Sequence, residues 1–287
     1  MRNLFSYLRY FKIQNIRDRM VYLKWYKHIE ETQWLSKEEL VNYQWEKVRV
    51  LLEYSYNNIP YYTKMFKSID STPKDINSWS DFEKIPFLTK EQVKENPDDF
   101  ISVIAKKNEM KISSTGGSSG QPLAFYRNPI MDTIERAFMF HQWGRVGFKE
   151  KSTRVILRAE ALSNGRLFKK HRFQNVWVMS SYQLSGENIN EYVRYLNKIK
   201  PDFFHVYPTS FYIFTQLLIQ TKNKLEFPIK AILCGSEPVH DYQRELFENT
   251  YQTRVYSWLG LAEGVVLAGG CEHSNSYHVW PQHSYVE

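Results

Sequence analysis

Residues 113–122 form the chain's densest concentration of chemistry-bearing side chains: Ser113-Ser114-Thr115-Gly116-Gly117-Ser118-Ser119-Gly120-Gln121-Pro122. Glycines let a backbone turn where a Cβ would clash and expose successive N–H groups, while the hydroxyls add donors, so such a run can wrap phosphate oxygens. It is not a Walker A loop, because Gln121 follows Gly120 where that loop places Lys and Ser or Thr. Nor does it hold the G-x-G-x-x-G spacing of a dinucleotide fold. Gly116-Gly117-Ser118-Ser119-Gly120 does match the G-x-S-x-G nucleophile elbow, with Ser118 as nucleophile. That elbow must lead from a strand into a helix, whereas Pro122 and the strand-like Leu123 to Tyr126 follow here. A flexible linker is the remaining reading, and a linker is out of place between two strand patterns of an α/β region.

Two further loops follow apolar strand patterns. Gly235-Ser236-Glu237-Pro238 comes directly after the strand ending at Cys234, and open α/β sheets gather ligands at the carboxyl ends of their strands. The alternative is an ordinary strand-to-helix turn with Glu237 near the start of the next helix, where its charge favours the dipole. Ser257-Trp258-Leu259-Gly260-Leu261-Ala262-Glu263 also lies past a strand. There Glu263 is either a ligand for Mg²⁺ between phosphates or a solvated loop residue. Cys271, His273, His278 and His283 are a possible zinc set, but they lack C-x-x-C or H-x-x-x-H pairing, so surface histidines beside a buried thiol account for them as well.

These loops need a frame, and hydrophobic periodicity supplies one. Leu4, Leu8 and Phe11 fall at i, i+4 and i+7 in a basic amphipathic helix over Met1–Lys27. Ser36 and Glu39 stand at capping-box spacing ahead of Val41, Trp45, Val48 and Leu52, which predicts a helix from Ser36 to Tyr56. It stops before Asn57, Asn58 and Pro60, and a loop leads to a short helix near Lys90. Met110 to Ser114 and Leu123 to Tyr126 read as strands. Beyond them, helices over 131–143, 188–199, 210–219 and 240–250 alternate with strands at 154–157, 176–179, 203–207, 229–234 and 254–258. Short apolar strands between amphipathic helices predict an α/β domain with layered helices around mainly parallel sheets. The expected division is a basic arm over 1–32 and one large domain over 33–287.

Taken in order, the loops resemble those of the adenylate-forming enzymes, and specifically the phenylacetate-CoA ligase family with its branch associated with capsular polysaccharide synthesis. Asn58-Ile59-Pro60-Tyr61-Tyr62, Ile85-Pro86-Phe87-Leu88-Thr89-Lys90 and His205-Val206-Tyr207-Pro208-Thr209-Ser210 are similar to further markers of that family. The resemblance runs from about Gln33 to the end. It implies ATP-dependent activation of a carboxylic acid through an acyl-adenylate, then transfer to a thiol such as coenzyme A, with Mg²⁺ assisting. It assigns Thr115, Gly116, Gly117, Ser118, Ser119, Gly120 and Gln121 to phosphate binding and Gly235, Ser236, Glu237 and Pro238 to the adenine side. Trp258, Leu259 and Gly260 join the nucleotide site, Glu263 becomes the catalytic metal ligand, and His205, Tyr207 and Pro208 line the acid pocket. Gln121 stands where the family usually has Lys, and Leu259 where relatives place an aromatic. The chain stops at Ser284-Tyr285-Val286-Glu287, in a strand-like pattern, so the expectation is a large N-terminal domain without its small C-terminal partner and with impaired activity. The competing expectation is a non-catalytic nucleotide-binding or scaffolding protein at a membrane-associated polysaccharide assembly.

Composition narrows the classes. Of the 287 residues, 43% are hydrophobic and 24% charged, as in globular proteins. The net charge of +7 is concentrated: residues 1–30 hold Arg2, Arg9, Lys12, Arg17, Arg19, Lys24 and Lys27 against Asp18 and Glu30, leaving the rest nearly neutral. A nucleic-acid groove through the body is therefore not expected. The basic arm is suited either to peripheral membrane contact or to packing its aromatics on the main domain. Two cysteines fit a reducing compartment, and the start lacks a secretory h-region, so a cytoplasmic location is expected.

Overall fold

The computed structural model describes residues 2–116, 122–171 and 174–286, with side chains described from residue 16. The chain divides into two compact units, one of residues 1–137, 261–266 and 280–287, the other of residues 138–260 and 267–279.

The first unit is mostly helical. α1 (Arg2–Thr32) is followed by α2 (Lys37–Asn58), where Ser36 and Glu39 form the predicted capping box: the Glu39 N–H donates to Ser36 Oγ and the Ser36 N–H to Glu39 Oε2. α1 fastens to α2 through His28 Nε2 and the Tyr43 hydroxyl at 2.8 Å, and its Ile29 is fully buried. α3 (Pro60–Ser68) follows at once, with Ile59 capping both helices. The expected stop ahead of Pro60 holds to within two residues, but where a loop was expected α3 begins, with proline in its first turn, where its missing N–H costs no helical hydrogen bond. α3 buries Met65 and Phe66 with Ile76 against Trp45, Leu52 and Tyr56. Short helices α4 (Trp79–Phe82) and α5 (Lys90–Glu95) lead to the antiparallel pair β1 (Lys111–Ser114) and β2 (Ala124–Arg127). Residues 284–286 are not a strand. The Ser284 carbonyl accepts from Gln44 Nε2, and the Tyr285 ring stacks on Trp79 at 4.0 Å, so aromatic packing fixes this segment where a ladder was expected.

α6 (Ile130–Gly144) carries the chain into the second unit. Its strands are β3 (Arg154–Arg158), β4 (Phe168–Lys170), β5 (Val176–Ser180), β6 (Phe203–Val206), β7 (Ala231–Gly235), β8 (Val255–Gly260), β9 (Leu267–Gly270) and β10 (Tyr277–Val279). Helices α7 (Ile189–Ile199), α8 (Pro208–Gln220) and α9 (Asp241–Tyr251) lie between them. Among the described residues the sheet order is β10-β9-β8-β7-β6-β3-β5-β4. β5, β3, β6, β7 and β8 run parallel; β4, β9 and β10 are antiparallel additions at the edges. Phe204 and Val206 face a core built with Phe211, Phe214 and Phe247 of α8 and α9, while Phe203, Ala231 and Leu233 pack with Trp143 and Phe148. Burial on both faces explains why these strands read as continuous apolar runs.

Candidate active site

Strand register decides what meets at the carboxyl edge of the parallel sheet. Ser180 pairs with Arg158, Leu157 with Val206, Val206 with Cys234 and Gly235 with Trp258. Ser180, Arg158, Tyr207, Gly235 and Trp258 therefore form one transverse row at the strand ends. The connection from β3 leads toward β5 and that from β6 toward β7, so the strand order reverses between β3 and β6. Open α/β sheets bind ligands at such a reversal, where the loops diverge and leave a crevice. Arg158 and Tyr207 stand on its two sides.

The groups in the row are tightly arranged. The Arg158 guanidinium lies 5.3 Å from the Tyr207 ring centroid and its Nη2 touches His205 Nε2. His205 is buried and meets Trp143 edge-on at 4.7 Å. Burial first, then the charges of Arg158 and Arg154, holds the His205 imidazole well below its ordinary pKa, so the ring is neutral at physiological pH. Tyr207 is partly buried; its N–H donates to the Leu157 carbonyl at 3.0 Å, and Pro208 begins α8.

On the next loop, Gly235 is buried, and a Cβ there would contact Trp258 Cβ at 4.0 Å. Ser236 takes φ = 69°, a left-handed conformation costly for a residue with a Cβ. That strain turns Glu237 back: Glu237 Oε2 accepts from the Thr209 N–H at 3.0 Å, at the start of α8. Glu237 thus sits at the N-terminus of the helix after β6. The helix that follows it in sequence, α9, is capped by His240 with Gln243. Pro238 is exposed, as are Leu259 and Gly260, while Trp258 is half-buried beside them.

In the first unit, Thr115 closes the mouth of the β1–β2 hairpin. Its N–H donates to the Leu123 carbonyl, and the Leu123 N–H donates to Thr115 Oγ1, both at 3.0 Å. Gly116 is exposed with open space around it. Gly117, Ser118, Ser119, Gly120 and Gln121 lie outside the described residues. The loop is flanked by two strands and does not lead from a strand into a helix, which is the wrong frame for a nucleophile elbow.

Glu263 occupies a turn closed by the Gly264 N–H on the Leu261 carbonyl at 2.9 Å. Gly264 has φ = +72°, and a Cβ there would meet Arg127 Nη2 at 3.4 Å. Arg127 is held by Glu135 at 2.8 Å and Asp132 at 3.3 Å. Among the described residues no ion pair engages Glu263, and its carboxylate is partly exposed. A single open carboxylate fits a magnesium ion that takes its other ligands from phosphate and water.

Of the possible zinc set, Cys271 and His278 come together with Glu272, their ligand atoms all within 4.8 Å of one another. His283 belongs to the first unit, where burial and the Arg127 charge push its pKa down to about 4. Sequence reasoning missed Arg158, Trp143 and Glu272. Arg158 carried one signal, a charged residue ending the apolar run Val155-Ile156-Leu157.

This arrangement, a mostly parallel sheet with loops gathered at its carboxyl edge, is similar in fold to solved CoA ligases. A structure of 2-hydroxyisobutyryl-CoA ligase in complex with 2-HIB-AMP and CoA superposes with a TM-score of 0.63 at 17% identity, covering 84% of this chain and 53% of the ligase. An open conformation of that enzyme gives 0.60 over 80% of this chain at 16% identity. Among curated proteins, Protein CapK of Staphylococcus aureus is 25% identical over 231 residues, 79% of this chain and 50% of CapK. The phenylacetate-coenzyme A ligases of Aromatoleum evansii and Pseudomonas putida are 23% and 22% identical over 90% and 88% of this chain. The chain's homologues are thus named phenylacetate-coenzyme A ligase and CapK, and it spans 50–60% of the length of these relatives. No family profile matches the chain.

Proposed function

We propose that this chain forms the nucleotide- and acid-binding part of an enzyme that activates a carboxylic acid with ATP and transfers the acyl group to coenzyme A. The observation that carries this reading is the row of Arg158, Tyr207, Gly235 and Trp258 across the strand-order reversal, in a chain with CoA-ligase homologues. A carboxylate oxygen of the acid attacks the α-phosphorus of ATP, pyrophosphate leaves, and an acyl-adenylate forms. The thiolate of coenzyme A then attacks the acyl carbon and AMP leaves.

The protein's part is positioning and charge neutralisation. Gly235 to Pro238, with Trp258, Leu259 and Gly260, receive the adenosine. Buried, neutral His205 with Tyr207 and Pro208 borders the acid, and Thr115 to Gln121 supply N–H and hydroxyl donors to the phosphates. Glu263 would hold the magnesium ion, which would neutralise phosphate charge. The link to surface polysaccharide rests on CapK. The apolar Ile16, Met20 and Leu23 are exposed on α1 beside Arg17 and Lys24, which supports peripheral contact with an anionic membrane.

Titration calorimetry with Mg·ATP tests the assignment, alongside ATP–pyrophosphate exchange over a panel of carboxylic acids. Saturable Mg·ATP binding that Glu263→Gln weakens, together with exchange activity that Tyr207→Ala impairs through the acid, supports it. Absence of Mg·ATP binding at any concentration replaces it with the scaffold role.

A further inference from the structure

The turn joining β9 to β10 is built more rigidly than a surface hairpin needs. The Cys271 N–H donates to the Ser276 carbonyl at 2.9 Å and the Ser276 N–H to Ser274 Oγ at 3.2 Å. Arg254 reaches across from the start of β8 and donates from Nη1 to the Glu272 carbonyl and from Nη2 to the Ser274 carbonyl. The ladder pairs His278 with Gly269 and Tyr277 with Gly270, so His278 faces the first residues of the turn across the hairpin. Fixed in this way, Cys271 Sγ, a Glu272 carboxylate oxygen and a His278 ring nitrogen lie within 4.8 Å of one another.

Their contacts do not satisfy them. Glu272 Oε2 is shut off from solvent and accepts no hydrogen bond. Its neighbours are Arg145 Nη1 at 3.5 Å and His278 Nε2 at 3.8 Å. A separation of 3.8 Å is too long for a hydrogen bond. It matches two ligands of one ion, because metal–ligand bonds of about 2.0–2.3 Å at a tetrahedral centre put ligand atoms about 3.3–3.8 Å apart. Cys271 Sγ makes only the weak hydrogen bonds of a sulfur, with the His273 N–H at 3.3 Å and with Ser274.

We propose that Cys271, Glu272 and His278 bind one zinc ion, which clamps the β9–β10 turn and keeps its fourth position for water. A sulfur, an imidazole nitrogen and a carboxylate oxygen suit Zn²⁺ and disfavour Mg²⁺ or Ca²⁺, which take oxygen ligands. Charge is consistent as well. Thiolate and carboxylate together cancel the ion's two charges, so the loaded site is neutral beside Arg145 and Arg254. The pair of neighbours 271 and 272 supplies two ligands only because the turn, pinned by Arg254, departs from strand alternation there.

The site is independent of the acid-activating role and is tested without activity. The full 287-residue chain, stripped with chelator, is titrated with zinc in competition with a chromogenic chelator, and separately with cobalt. One equivalent should bind, and cobalt should give a sulfur-to-metal charge-transfer band. Cys271→Ser should abolish that band, and His278→Gln should weaken zinc binding about tenfold or more. Wild-type protein provides a test that needs no variant: saturating zinc should slow alkylation of Cys271, with buried Cys234 as the internal reference. Substoichiometric or unsaturable binding, a charge-transfer band that survives Cys271→Ser, or an alkylation rate unchanged by zinc would each overturn the site.

Discussion

Replacing His283 by glutamine should flatten the acid side of the stability profile. In the folded protein the His283 ring is largely buried, its Nδ1 lies 2.6 Å from Ser284 Oγ, and the Arg127 charge adds to the effect of burial, so its pKa falls to about 4 from 6.5. Above pH 6.5 neither the folded nor the unfolded ring carries a proton, and stability is at its full value. Between 6.5 and 4 the unfolded chain binds a proton that folded His283 refuses, so stability falls as pH falls. Below 4 both forms are protonated and the loss levels off. At ~1.4 kcal/mol per pH unit the interval is worth at most about 3.5 kcal/mol. Because the ring is partly open to screening, ~1–2 kcal/mol is expected. Urea unfolding of wild-type and His283→Gln proteins from pH 7.5 to 4.5 measures this, since His205 and the carboxylates contribute equally to both and cancel. The difference should grow between pH 6.5 and 4 and be absent above 7. Parallel profiles, or a His283 ring that titrates near 6.5 by NMR, would refute the assignment.

Two stability predictions follow from packing. Gly269→Ala places a methyl group inside the buried Gln142 side chain, whose Cγ would lie 2.6 Å away, and should cost ~1–3 kcal/mol in urea unfolding; Gly116→Ala, with open space around it, should cost no packing energy. Glu237→Ala leaves the Thr209 N–H at the start of α8 without its carboxylate acceptor, and should cost ~1 kcal/mol by thermal unfolding; no change in midpoint would show that this contact does not cap α8.

The parallel core was legible because strands buried on both faces spell themselves out as short apolar runs: Phe203 to Val206 and Ile232 to Cys234 needed no partner to be recognised. The edge strands were not. Phe168-Lys169-Lys170 is largely polar, Leu267-Ala268-Gly269-Gly270 ends in two glycines, and Tyr277-His278-Val279 is exposed, so none alternates over enough length to register. α3 was hidden because proline marks both the end of one helix and the start of another, and only packing of Met65 and Phe66 decides between them. Position after an apolar strand drew attention to Gly235 to Pro238, and only the resemblance to the ligase markers drew it to Tyr207. Arg158 carried only the weak signal of a charge ending an apolar run, and its place in the row became visible through register, since nothing local says that its neighbours across the sheet are Ser180 and Tyr207. Cys271 and His278 are likewise seven residues apart in sequence and adjacent only because a hairpin folds between them.

The row at the strand ends draws its residues from five chain segments between Arg158 and Trp258, and β6 settles beside β3 only after the chain has already built β5 on β3's other side. A nascent chain therefore leaves one edge of β3 unpaired, and half a crevice exposed, until β6 emerges about 45 residues after Arg158. A ligand at this row would fasten early strands to late ones. Its presence should be felt as slower unfolding of the second unit as a whole, rather than as local protection of any one loop.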